Sequence, residues 1–255
     1  MNNTMNLSDY YPAHLTPGGP ALLRDVLTHC PAELLAREDA RFLLVGCRYG
    51  EHALALAQHV AGSVIGVDED AEAILYGKMA ATSLGLAGKV SLQFMSPVSL
   101  ALRPPGFDVV ILEGVLSAHV PTRALKEALR MLAPDGYLLL ADSCWLHDEV
   151  PTYVRDVWEA RDHKLLHREA LLRLLEERGL RVVHVDDRSR ALDAFYRQFQ
   201  DAAYSLAKGG FEGMKHMKHL VKHYKHEIDV YRKHGGDRFM GYLAVLAKRG
   251  TDETA

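Results

Sequence analysis

Residues 42–57, FLLVGCRYGEHALALA, decide how this chain folds. The apolar run Phe42–Val45 stops at Gly46, Gly50 follows, and from Glu51 the segment becomes rich in Ala and Leu. An apolar run, a glycine-bounded turn and a helix-forming stretch read as a buried strand feeding a helix. In an α/β protein such a turn gathers backbone N–H groups and a helix N-terminus at one point, where a polar or anionic ligand can be held. Arg48 departs from that pattern, since turns of this kind favour a second glycine there.

Working outward, the same alternation continues. Strand-like runs are predicted at 41–46, 63–68, 90–94, 107–113, 137–142, 181–187 and 239–248. Between Pro121 and Ala133 the apolar Leu125, Ala128, Leu129 and Leu132 recur at helical spacing, with Pro121 suited to the first turn. Residues 168–178 repeat the pattern through Leu171, Leu174 and Leu175, and Gly179 is placed to end that helix. Strands alternating with helices predict a doubly wound α/β fold, its mainly parallel sheet covered on both faces. A single domain over 1–255 is expected. It divides into an N-terminal arm and helix (1–40), a core (41–190), a helical insertion (191–237) and a last strand (238–250).

Composition narrows the function classes. The chain has 255 residues, 48% of them hydrophobic, enough for one large core. Its formal charge of −3 offers no general attraction to nucleic acid. Cys30, Cys47 and Cys144 are far apart and odd in number, which suits a reducing cytoplasm and neither a disulfide framework nor a zinc site. The first twenty residues do not read as a signal peptide, and no apolar run reaches the roughly 20 residues that span a bilayer. A cytoplasmic protein without membrane or nucleic-acid partners is expected.

Ligands of such sheets bind beyond the carboxyl ends of the strands, near the point where strand order reverses. Asp68 ends the second strand-like run. A carboxylate there can accept from the vicinal hydroxyls of a ribose, or it can cap the helix that starts near Asp70.

Four segments in order, GCRYG (46–50), GVDED (66–70), GFDVVILEGVL (106–116) and ALRMLAPDGYLLLAD (128–142), resemble class I S-adenosylmethionine-dependent methyltransferases of the small-molecule group. The resemblance implies a Rossmann-like seven-stranded sheet whose last strand, FMGYLAVLAKR (239–249), runs antiparallel. It also implies S-adenosylmethionine as cofactor and a small-molecule acceptor. Gly46, Cys47 and Gly50 would lie against the methionine part, Asp68 would take the ribose hydroxyls and Glu69 would lie near the adenine. Backbone at 112–114 would form the floor below the sulfonium. Arg48 must point away or be used, and its guanidinium can pair with the cofactor carboxylate. The family places an acid and a small residue after the third strand to read adenine; here Ser96 can still accept, but Pro97 has no N–H to give. A dehydrogenase would need G-x-G-x-x-G, which GCRYGE does not supply. A nucleic-acid methyltransferase would need a base-flipping motif where ILEGVLS (111–117) stands.

Methyl transfer asks mainly for in-line positioning, with a general base where the acceptor must lose a proton. Glu113, ending the fourth strand, and Asp142, ending the fifth, are the catalytic candidates; a salt-bridged carboxylate and a helix cap are their alternatives. His119, His147, Tyr10 and Tyr11 are further groups at that end, and YYPAHLTPGGPALL (10–23) resembles the arm that folds over the cofactor. In the insertion, GFEGMKHMKHLVKHYKHEIDVYRKHGG (210–236) sorts into an apolar face with Met217, Leu220, Val221, Tyr224, Ile228 and Tyr231, and an edge of His216, His219, His223 and His226. That edge is either a solvated basic strip or a pair of metal ligands at His219 and His223; lacking a completing carboxylate, no metal site is expected. The insertion leaves on the ligand side of the sheet, as a lid or a homodimer contact.

Overall fold

The computed structural model describes residues 14, 16–160, 164–207 and 215–250. Seven strands form one sheet in the order β3-β2-β1-β4-β5-β7-β6. They are β1 (Arg41–Val45), β2 (Ser63–Asp68), β3 (Val90–Phe94), β4 (Phe107–Glu113), β5 (Leu132–Trp145), β6 (Leu180–Asp187) and β7 (Met240–Arg249). Strands β1 to β5 pair in parallel, and β7 lies antiparallel between β5 and β6. Chain order reverses between β1 and β4, so the loops leaving those two strands open the crevice where ligands of this fold bind. The antiparallel β7 is the feature the sequence resemblance implied and a dehydrogenase sheet lacks.

Helices cover both faces because both faces are apolar. On one side α1 (Gly19–Leu27), α3 (Glu51–His59), α4 (Ala71–Ser83), α7 (Thr152–Glu159), α9 (Ala191–Ala207) and α10 (Lys215–Lys233) pack on Phe42, Leu44, Ile111, Leu139 and Ala244. On the other, α5 (Val115–Ala118), α6 (Pro121–Met131) and α8 (Arg168–Glu176) pack on Leu43, Val45, Val110, Leu112 and Leu140. Successive strand residues feed opposite cores, as the two-residue strand period requires. Two short helices, α2 (Ala32–Ala36) and α11 (Gly236–Phe239), complete the set.

The predicted strands fall within a residue or two of the observed ones, apart from β5. APDGY reads as a turn before that strand, whereas β5 already starts at Leu132, and the turn survives as an irregularity inside it. Asp135 takes a positive φ of 62°, and the β4–β5 register shifts between Phe107 and Val109. The local turn chemistry is intact, and pairing of Leu132 with Phe107 extends the ladder past it. Of the apolar face foreseen on α10, Ile228 and Tyr231 are buried, as is Val230 beside them. The side chains of His216, His219 and His223 lie outside the described residues, as do Tyr10 and Tyr11.

Candidate active site

The turn from β1 into α3 is tight because Gly46, Arg48 and Gly50 all take left-handed backbone, with φ of 83°, 48° and 86°. At Gly46 only glycine fits: a Cβ would meet the Glu113 carbonyl oxygen at 2.4 Å, so the ends of β1 and β4 touch. Left-handed backbone at a non-glycine costs about 1–2 kcal/mol. At Arg48 it is held by the backbone N–H, which donates to Asp68 Oδ2 at 2.8 Å.

Several amides of this turn are engaged within the protein: Gly46 and Cys47 both donate to the Val67 carbonyl, at 2.9 and 3.1 Å, and Gly50 donates to the Cys47 carbonyl at 2.8 Å. The Cys47 side chain faces inward, its Sγ 3.0 Å from where a Cβ on Gly66 would sit, and burial pushes its thiol well above the usual range. Any ligand contact at Cys47 is therefore made by backbone. The Arg48 side chain does not turn away. Its Nη2 lies 3.4 Å from the place of a Cβ on Gly114, so the guanidinium sits over the backbone that follows β4.

Asp68 ends β2 with 9% exposure and does not cap a helix. Capping of α4 belongs to Asp70, whose Oδ1 accepts from the Glu72 and Ala73 amides at 2.9 and 3.0 Å. Asp68 accepts instead from Arg48 N and, through Oδ1, from Asp70 N at 2.9 Å. It thus locks the end of β2 to the first turn, and each oxygen keeps a further lone pair. Glu69, beside it, reaches His119 Nε2 at 3.5 Å across the loop that follows β4. After β3 the chain turns at Ser96, whose carbonyl accepts from Ser99 N at 3.2 Å, and Pro97 is buried.

Glu113 is 4% exposed and faces His52 on α3, itself 2% exposed, with Nδ1 to Oε1 at 2.5 Å. The contact is charge-assisted, with the imidazole nitrogen set against the carboxylate. Burial pulls the His52 pKa down, but the Glu113 charge and contact, aided by Glu51, outweigh it and leave the pKa raised. Thr16 Oγ1 meets His52 Nε2 at 3.0 Å, and His14 Nδ1 meets Glu51 Oε1 at 2.8 Å. The N-terminal segment is therefore fastened to the first two residues of α3. Nothing in the sequence reading singled out His14, Thr16, Glu51 or His52. The Glu51–His52 pair directly after the glycine turn was the available signal.

Asp142 is 1% exposed, and its carboxylate is committed to backbone on the α5 side of the sheet. Oδ2 accepts from Leu116 N at 2.7 Å and Ser117 N at 3.2 Å, and Oδ1 from Ser143 N at 2.8 Å. It is a cap supplied from a neighbouring strand, fixing the loop after β4. Burial raises its pKa against those bonds. His147 stacks edge-on against Phe239, with ring centres 5.8 Å apart. Gly46, Arg48, Asp68 and Glu113 thus converge at the reversal point, Glu69 and Ser96 stand at the ends of β2 and β3, and Asp142 supports the floor from behind.

The strand order, the glycine turn and the acidic end of β2 define a Rossmann-like methyltransferase fold. The methyltransferase-domain family matches residues 18–185, well over half of the chain, and the chain belongs to that family. A crystal structure of an S-adenosylmethionine-dependent methyltransferase from Thiobacillus denitrificans, in complex with S-adenosyl-L-homocysteine, is similar over 98% of this chain and 99% of its own, with TM-score 0.71 and 17% identity. The [4+2]-cyclase SpnF is similar over 91% of this chain and 81% of its own, with TM-score 0.69 and 21% identity. An uncharacterized protein of Haemophilus influenzae is 28% identical over 126 residues, 48% of this chain. That match spans half the length of the relative. At these identities the structural likenesses establish the fold. No helix among the described residues is long and apolar enough to cross a membrane.

Proposed function

We propose that this chain transfers a methyl group from S-adenosylmethionine to a small-molecule acceptor. The observation that carries the reading is Asp68, a nearly buried carboxylate locked against the glycine turn at the reversal point. The residues present suit the cofactor. Gly46 leaves space where any side chain would strike β4, Asp68 keeps lone pairs for vicinal hydroxyls, and Arg48 supplies a cation for a carboxylate. Bound there, the cofactor supplies an already activated methyl group on a sulfonium. The protein's part is to hold the acceptor in line and exclude water, which the arm at His14–Thr16 and the α9–α10 hairpin support by closing over the α3 face.

A second reading is a family member that binds the cofactor weakly and acts as an interaction module. Arg48 lying over Gly114 and the missing N–H of Pro97 favour it. Calorimetric titration with S-adenosylmethionine and S-adenosylhomocysteine separates the two. Saturable binding together with release of S-adenosylhomocysteine in the presence of acceptor supports transfer. Absence of binding up to millimolar concentrations rules it out.

A further inference from the structure

Tyr242 is the polar residue that the site as described leaves unexplained. It lies on β7, is 3% exposed, and its hydroxyl has no hydrogen-bond partner among the described residues. A buried hydroxyl without a partner is destabilising, and native proteins keep few of them.

Strand register puts Tyr242 on the same side of the sheet as Glu113. Glu113 pairs with Ala141, and Tyr242 pairs with Ser143 two residues further along β5. Paired residues share a face and so do residues two apart, so Glu113 and Tyr242 project from the same face of the sheet. Two strand spacings and two residues separate their Cα atoms by roughly 12 Å, and both side chains are long. Burial pushes the phenol's pKa well up, and the Glu113 charge adds to that rise. The lid closes this face: α9 buries Phe195, Tyr196 and Phe199, and Tyr196 donates to Glu227 Oε2 on α10 at 3.2 Å.

We infer that Tyr242 and Glu113 together hold the methyl acceptor, and that its reacting group is a hydroxyl. This rests on the methyl-transfer reading and deepens it. A buried phenolic O–H needs an acceptor, and the Glu113 carboxylate, held by His52 through Oε1, keeps lone pairs that can accept from a further donor. A hydroxyl supplies both and retains a second lone pair to attack the methyl carbon. A neutral amine that accepted from Tyr242 would have engaged its only lone pair, and one that donated to Tyr242 would leave the phenolic proton unsatisfied. A thiol is a poor partner for both. In the step, the acceptor oxygen bonds to the methyl carbon as the carbon–sulfur bond of the sulfonium donor breaks. The hydroxyl proton passes to Glu113, so the positive charge of the donor and the negative charge of the carboxylate are both discharged. Tyr242 is a substrate-positioning residue in this scheme.

The test uses the full chain saturated with S-adenosylhomocysteine, with phenol, aniline and benzenethiol as probes matched in size and titrated by ligand-observed NMR. Binding of S-adenosylhomocysteine is measured first, so failure of the methyl-transfer reading is distinguished from failure of this one. The expected result is saturable binding of phenol, with aniline and benzenethiol about tenfold weaker or undetected. Tyr242→Phe should weaken phenol about tenfold and leave S-adenosylhomocysteine affinity unchanged. It should also melt no lower than the wild type, because the deleted hydroxyl makes no bond to the described residues. Three results would each overturn the proposal: no phenol binding at millimolar concentration, aniline or benzenethiol binding as well as phenol, or a Tyr242→Phe protein that binds phenol normally. A clear fall in melting temperature would instead assign the hydroxyl a structural role and overturn it too.

Discussion

His14 and Gln198 hold each other in a reciprocal pair. The His14 amide donates to Gln198 Oε1 at 2.9 Å, and Gln198 Nε2 donates to the His14 carbonyl at 2.8 Å. With His14 Nδ1 also on Glu51, one residue joins the N-terminal segment, helix α9 and the first turn of α3. These bonds tie all three segments together at a single residue.

Gln198→Ala removes both bonds to the arm. Global stability should fall by no more than about 1–2 kcal/mol, since the pair is exposed and each bond contributes about 1 kcal/mol or less. Hydrogen exchange at Thr16–Leu27 should quicken together with exchange at Ala191–Gln198, while the β1–β4 amides stay protected. Faster exchange in the arm alone would show that the two segments open independently.

The same junction should depend on pH. The His14 pKa is raised, chiefly by the hydrogen bond to Glu51 and against the pull of burial, and the His52 pKa is raised as described above. For groups raised on folding, the contribution to stability is complete below the unfolded histidine value of about 6.5 and is lost as pH climbs through the folded values. Protection factors in Thr16–Leu27, corrected for intrinsic exchange, should therefore fall as pH rises above about 6.5. His14→Gln should flatten part of that dependence. Protection that grows with pH would contradict the assignment.

His52→Ala would leave the Glu113 carboxylate buried without its cation, a loss on the order of 3–5 kcal/mol. Glu113→Gln in the same chain should recover much of that loss, because the amide carries no charge to strand. A double-mutant cycle by urea denaturation measures the coupling. Additive losses would mean the two groups do not support each other.

Much of this architecture was legible in the sequence, because the strands are continuous apolar runs and the turns carry their glycines where φ must be positive. Gly46, Gly50 and Asp68 could be placed from spacing alone. The ionic arrangement could not. Whether Asp68 or Asp70 caps α4 depends on which carboxylate turns back to the Glu72 and Ala73 amides. For Asp142 the sequence left a catalytic acid and a helix cap both open, and the cap is made by α5 amides 25 and 26 positions earlier in the chain. His14, Thr16 and His52 were silent because their partners are distant in sequence, and no periodicity records such pairs.

Arg48→Gly tests the residue that breaks the turn pattern. Stability should change by less than about 1 kcal/mol, because relief of the left-handed strain is offset by the greater unfolded-state freedom of glycine. S-adenosylhomocysteine affinity should drop about tenfold or more through loss of a charge-assisted contact to its carboxylate. A rise in affinity would show that the guanidinium over Gly114 obstructs the site.

The central claim is that the locked Asp68 and the glycine turn hold S-adenosylmethionine, and one titration addresses it most directly. Calorimetry with S-adenosylhomocysteine should give saturable one-to-one binding to the wild-type chain. Asp68→Ala should weaken it at least a hundredfold, whereas Asp70→Ala, which removes only the α4 cap, should lower stability by about 1 kcal/mol and leave affinity within a few-fold. Wild-type protein that shows no binding up to millimolar concentrations, or an Asp68→Ala protein that binds as tightly as wild type, would contradict the account.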